Sequence, residues 1–192
     1  MKARDKLVFS TIDLVRRHGV AGTGVAEILE RGSVSRRSIY LNFPDGKTGL
    51  VAEATRVAGN FIHRRIEQLV EMSTPQETLT EFIADWKTVV TDSDFDAGCP
   101  IAAAAVSRSS VPAVSDLAGD ALDSWQATIT ASLMRHGLCE VTSRTFANTA
   151  IAAVEGAVMM CVAQKSTSAL DDVETQLNIL LTHHLDGIRG PQ

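Results

Sequence analysis

Aromatic residues are scarce in this chain: 5% of 192 residues, with one tyrosine and two tryptophans. Only five prolines interrupt it, and alternating strand-like patterns are hard to find. Both shortages argue against a sheet protein. No apolar run reaches the length of a membrane span. The first residues, MKARDKLVFSTIDLVRRHG, are charged throughout, which excludes a secretory hydrophobic region. A cytoplasmic protein is expected, with no membrane partner. The three cysteines, Cys99, Cys139 and Cys161, make no C-x-x-C and no zinc spacing. An odd number without a signal peptide reads as reduced thiols. His183 and His184 form the one histidine cluster. Neighbours on a helix diverge by about 100°, a poor arrangement for a metal, so no metal site is assigned and helix-end histidines are expected.

What the chain has is an apolar content of 45%, supplied mostly by Leu, Val, Ile and Ala. This favours an all-α protein. Its net charge of −5 conceals an asymmetry. Residues 1–65 carry 12 Lys and Arg against 6 Asp and Glu, and residues 66–192 carry 6 against 17. The first third is therefore +6 and the remainder −11. A basic end on an acidic body suits a protein that turns one end towards a polyanion.

A helix is expected over about 4–18, with Leu7, Val8, Thr11, Ile12, Leu14 and Val15 on one stripe and Gly19 ending it. Two short helices follow, about 24–31 with Thr23 as candidate cap, and about 35–42 with Ser35 as candidate cap. The turn RGSV between them makes the pair a helix-turn-helix. A long helix then runs from about 47 or 48 to 71. The segment STPQET holds a strong start signal, with Thr74 as cap, Pro75 in the first position and Glu77 in the third. Helices are expected over about 75–91, 111–136, 142–165 and 168–188, with a short one in IAAAAVSRS, giving about nine in all. The expected division is a helix-turn-helix domain at 1–47 and a larger helical domain at 48–192, which the family resemblance set out below implies to be the ligand-binding and dimerisation domain. The helix at 142–165 is dense in Ala and Gly, and the last helix repeats Leu170, Val173, Leu177, Leu180, Leu181, Leu185 and Ile188. Two such helices suggest a four-helix bundle between two copies; a purely internal core is the competing reading.

A recognition helix presents its first residues to base edges in the major groove. Ser35, Arg36, Arg37 and Ser38 occupy that place. Arginine can bridge O6 and N7 of guanine, for about 1–3 kcal/mol of discrimination. Tyr40 combines a ring to pack against the first helix with a hydroxyl for a phosphate. Lys47 and Thr23 offer further phosphate contacts, and Asn42 completes the expected DNA-binding set.

These residues resemble the TetR family of bacterial transcriptional regulators. The resemblance rests on Arg4, Gly19, Thr23, Ile28, Ser35, Ser38, Ile39, Tyr40, Phe43, Lys47 and Leu50, in order and spacing. Leu29 stands where the family favours Ala, and Gly32-Ser33 replaces the usual Ala-Gly, which leaves a serine at a turn suited to glycine. FPDGK is one residue longer than the common spacing, and with GCPIAAAAVS at 98–107 it is similar to the LmrA/YxaF-like branch. The resemblance implies a homodimeric, all-helical repressor that pairs through its two C-terminal helices and binds double-stranded operator DNA. It implies a small apolar or aromatic inducer that changes the separation of the two DNA-binding heads.

No feature of the second domain names a ligand. Phe82, Trp86, Phe95, Trp125, Ile129, Met134, Met159 and Met160 are candidates to line a cavity, since methionine and aromatic side chains suit apolar pockets; core packing is the plainer reading of each. Cys99-Pro100 marks either a kink near that pocket or a buried thiol. An enzyme is not expected. Glu155, His136 and Cys161 could be imagined in one cleft, but no phosphate loop, metal pair or nucleophile motif joins them. No catalytic residue or cofactor is assigned. The alternative is a helical dimer that binds a small molecule but not DNA.

Overall fold

The structure, a computed structural model, describes residues 1–189, the side chains of Ile188 and Arg189 excepted. Ile188, the last position of the expected apolar repeat, and residues 190–192 lie outside that description. The described residues form helices α1 (Ala3–Gly22), α2 (Val25–Gly32), α3 (Arg36–Asn42), α4 (Gly46–Met72) and α5 (Pro75–Asp92). Then come α6 (Pro100–Ala105), α7 (Pro112–Arg135), α8 (Glu140–Gln164) and α9 (Ser168–Arg189). No strand occurs among the described residues.

Two compact units result, Met1–Ile62 with Gly98–Leu122, and His63–Ala97 with Asp123–Gln192. The boundary expected at residue 47 falls inside the first unit. The reason is packing: Leu50 and Ala54 of α4 are buried in one cluster with Leu7, Val8 and Leu14 of α1, Ile28 of α2, and Ile39 and Phe43. Each large side chain so buried contributes about 1.5–3 kcal/mol. α6 also belongs to this unit. It packs on α1, and the Gly98 N–H donates to the Arg16 carbonyl at 2.9 Å. Gly59 of α4 is required by a close approach, because a Cβ there would lie 2.8 Å from that of Ala121 on α7. Cys99 caps α6 and is buried, so of its two readings the buried thiol is the one realised.

Arg4 ties this unit together. Its guanidinium pairs with Glu53 of α4 and lies 5.6 Å from the centre of the Phe43 ring. Glu53 also accepts from Arg56, at 2.8 and 2.7 Å. The Arg56 hydrogen bonds, aided by Arg4, hold the Glu53 carboxyl below its ordinary value against a smaller opposing effect of burial.

In the second unit, α8 and α9 pack on each other and both pack on α5. Thr74 and Glu77 form the expected capping box, the Glu77 N–H donating to the Thr74 hydroxyl and the Thr74 N–H to the Glu77 carboxylate. Lys87 of α5 reaches α9, 2.7 Å from both Asp171 and Glu174. α8 is long and apolar enough, by length and composition alone, to cross a membrane, which corrects the expectation that no such segment exists. Its Phe146, Val154, Val158 and Cys161 are buried within the fold.

Two substitutions test this packing. Ser33 holds φ 48° and ψ 51°, the left-handed region, which costs an L-residue about 1–2 kcal/mol. Glycine removes that cost and returns about 0.4–1 kcal/mol through the unfolded chain. Ser33→Gly should therefore raise the thermal midpoint by about 1–4 °C; a lower midpoint would show that Ser33 is not strained. Glu53→Gln should destabilise by about 1 kcal/mol near neutrality. A carboxyl held low contributes fully above its unfolded value and loses its contribution as pH falls through its folded value. Unfolding curves of the two proteins should thus converge as pH drops below about 4.5.

Candidate nucleic-acid interface and ligand cavity

The α2–α3 turn is closed by backbone bonds. The Ser33 N–H donates to the Glu30 carbonyl and the Val34 N–H to that of Leu29, each at 3.1 Å. Gly32 is buried against α1, where a Cβ would come within 3.2 Å of the Ser10 hydroxyl. The serine at 33 thus takes the left-handed position itself, and the glycine before it serves the approach of α2 to α1.

Ser35 caps α3 by position, but its hydroxyl pairs with that of Ser38 at 3.1 Å and not with a backbone N–H. Arg36 and Arg37 follow, both exposed. Neither makes an ion pair or side-chain hydrogen bond with the described residues. Two acids of the same unit are engaged with other arginines. Asp13 holds Arg17 and Arg31, and Glu53 holds Arg4 and Arg56. α3 thus shows two uncompensated guanidinium groups beside the Ser35 and Ser38 hydroxyls. The half-buried Asn42 donates its amide to the Ser38 carbonyl at 2.7 Å. Lys47 stands half-buried at the start of α4. Gly46, at φ 63°, makes the turn between the two helices.

Two expectations are corrected here. Tyr40 does not clamp α3 to α1, for it is 63% exposed and its ring lies near Gly46, whose Cβ would meet it at 3.8 Å. Ile39 and Phe43 do the packing. Tyr40 points one step around the helix from Ile39, towards solvent. Thr23 is fully buried, and its hydroxyl donates to the Gly19 carbonyl at 2.7 Å. It stands at the C-cap of α1 and not at the N-cap of α2, which is Gly24, and its buried side chain is not presented to a phosphate.

The second unit holds a partly open cavity of about 70 Å³. Its wall takes Ile66 and Leu69 from α4, Phe82 from α5, Trp125, Ile129 and Leu133 from α7, Phe146, Val154 and Glu155 from α8, and Leu181 from α9. Phe82, Trp125 and Ile129 lie where the sequence reading placed them. Trp86 does not line the cavity; it is buried behind Phe82, edge-on at 6.4 Å. Phe95 sits half-buried in the loop after α5, outside the wall. Met134, Met159 and Met160 are exposed, Met159 at 69%, and are not lining residues. Periodicity had marked their helices as apolar without saying which stripe faces in. Of Glu155, His136 and Cys161, only Glu155 reaches the cavity. Sequence reading missed it as a wall residue, although it is the one Asp, Glu, Lys or Arg between Arg144 and Lys165. A lone carboxylate in an otherwise apolar helix was the available signal.

Cys139 is the N-cap residue of α8 by position, and its exposed thiol makes no capping hydrogen bond. A contact with the Thr142 hydroxyl at 3.2 Å, then the backbone N–H groups of the first turn, hold it below the ordinary thiol value.

Comparison with known proteins agrees with this geometry. Residues 10–54 match the model of bacterial regulatory proteins of the tetR family, and residues 75–176 match the C-terminal domain of LmrA/YxaF-like transcriptional regulators. The chain is 29% identical over 188 residues to an uncharacterised HTH-type transcriptional regulator of Mycobacterium tuberculosis, Rv0196, covering 95% of each. It is 24% identical over 182 residues to the HTH-type transcriptional regulator LmrA of Bacillus subtilis, covering 93% of this chain and 96% of that one. A TetR transcriptional regulator from Legionella pneumophila has the same fold, with a TM-score of 0.86 at 16% identity over 94% of this chain and 97% of that one. A helix-turn-helix with bare arginines on its second helix, joined to a chain that matches the LmrA/YxaF-like C-terminal domain, is a TetR-family transcriptional regulator, and this chain belongs to that family in its LmrA/YxaF-like branch.

Proposed function

We propose that the protein is a repressor that binds operator DNA as a homodimer and is released when a small apolar molecule enters the cavity. The observation that supports the DNA-binding part is the pair Arg36 and Arg37, exposed on α3 and without an ion pair to the described residues. Guanidinium groups left bare in this way keep their full attraction for phosphate and for guanine edges. Ser35, Ser38, Tyr40 and Lys47 flank them as further contacts. Such a regulator works where the bacterial chromosome is, in the cytoplasm.

The homodimer reading is supported by what α8 and α9 leave uncovered. Met159, Met160 and Val141 on α8, and Ile179 and Leu180 on α9, are exposed large apolar side chains. A shallow groove between the two helices adds Ala153, Val173 and Leu177. A second copy laying its own α8 and α9 on this face buries all of them.

Release by ligand is supported by the size of the cavity. At about 70 Å³ it is far below the roughly 300–1,000 Å³ of a site for drug-sized molecules. Such a ligand enters only if the walls part, and Ile66 and Leu69 make α4 one of those walls. The same helix gives Leu50 and Ala54 to the core beneath α3. A ligand that prefers the opened walls shifts the population towards a form with altered heads.

Fluorescence anisotropy on duplexes carrying the promoter of the protein's own or neighbouring gene tests the assigned roles. Arg37→Ala should lower affinity for the operator and relax preference at particular base pairs. Lys47→Ala should weaken all duplexes alike and flatten the salt dependence by about one unit of slope. Equal effects from both changes would show the base and phosphate roles to be misassigned. For the dimer, Met159→Glu with Ile179→Glu should halve the mass seen by sedimentation while leaving the helical signal intact. An undiminished dimer would place the interface elsewhere.

A further inference from the structure

We propose that Leu41 selects a thymine in the operator by packing on its 5-methyl group in the major groove; this rests on the reading of α3 as a DNA-recognition helix. Leu41 is 70% exposed, at the sixth position of α3. A large apolar side chain left in water is ordinary by itself; its place on the helix is not. α3 is held to the fold by Ile39, which is buried. At about 100° per residue, Arg37 and Leu41 each stand about 160° around the helix from Ile39, on either side of the point directly opposite. Being four residues apart, they lie one above the other on this outermost stripe. Ser38 and Tyr40 stand about 100° from Ile39, on the two flanks. The stripe turned furthest from the fold is therefore an arginine followed, one turn on, by a leucine.

The chemistry of the groove narrows what this leucine recognises. Base edges there present hydrogen-bond donors and acceptors, and one methyl group, that of thymine. Leu41 has neither donor nor acceptor. Laid over a guanine, adenine or cytosine edge, it takes polar atoms away from water and gives nothing back. Laid over thymine, it buries methyl against methyl. The charge around it points to the same partner. Arg36 and Arg37 are exposed on the same short helix, so whatever covers Leu41 is a polyanion that carries an apolar spot, as duplex DNA with a thymine does. The spacing adds a positional requirement. Arg37 to Leu41 is a rise of about 6 Å along the helix, less than two base-pair steps of about 3.4 Å. The thymine therefore lies within about two base pairs of the one that Arg37 contacts.

Deoxyuridine lacks only that methyl and pairs with adenine as thymidine does, so replacing one by the other isolates the contact. The full chain is titrated by fluorescence anisotropy onto a duplex enriched from a random pool, and onto copies in which each thymine in turn is replaced by deoxyuridine. At one position per half-site the wild type should lose about three- to fivefold in affinity, the effect of burying one methyl. That position should lie within two base pairs of the one where Arg37→Ala relaxes preference. Leu41→Ala changes an exposed side chain and should leave the helical signal and thermal midpoint intact. It should bind the thymine duplex more weakly and no longer distinguish it from the deoxyuridine duplex. Indifference of the wild type to every replacement, a result that needs no variant to fold, would overturn the proposal. Full wild-type sensitivity in Leu41→Ala would overturn it too, since another side chain then holds the methyl. If no duplex is enriched or bound at all, the reading of α3 falls and this inference with it.

Discussion

A helix of seven residues does not hold itself together in water, and α3 is seven residues long. It exists because Ile39 and Phe43 are buried beneath it, against α1, α2 and the first turns of α4. Everything on its outer face inherits its position from those two side chains. Arg4 adds the remaining constraint, since one guanidinium meets both the Phe43 ring and the Glu53 carboxylate. The arginines that face outward are therefore aimed by residues that carry no information about DNA. Asp13 and Glu53 each face two other arginines of the unit, and neither Arg36 nor Arg37 has an ion pair among the described residues.

The second unit keeps a small cavity among its packed helices, which on the proposed reading is the effector site. An empty space costs stability in proportion to its volume, and here that volume is kept small. On the proposed reading, room for a ligand would be made by displacing helices that are otherwise in contact. Lys87 resists part of that displacement, since its two carboxylates, Asp171 and Glu174, fasten α5 to α9.

Helix starts and stops were legible because each has a local chemical cause. Thr74, Pro75 and Glu77 start α5 by satisfying backbone groups next to them in sequence, and Gly19 breaks α1 with a φ of 70°. The Arg36-Arg37 pair was legible for the same reason, as no acid lies close in sequence. Depth was not legible. Periodicity separates the faces of a helix, but it does not say which apolar stripe meets the chain and which is left uncovered. Met159 and Met160 therefore read as core candidates and prove exposed, while Phe146 went unnoticed and is part of the wall. Tyr40 and Phe43 were both aromatic and close in sequence, and only the fold shows that the second is the one buried. Thr23 read as a cap because threonine caps helices; its hydroxyl instead reaches back across the break at Gly19.

Selection of binding sites from a random duplex pool by the full chain tests most directly the claim that α3 reads DNA in pairs. In the proposed dimer, two copies joined through α8 and α9 would carry two α3 helices related by a two-fold axis, so enriched sites should be palindromic, with half-sites about one helical turn apart or a multiple of it. Enrichment of single half-sites, or no enrichment over a pool bound in the same salt, would contradict the account.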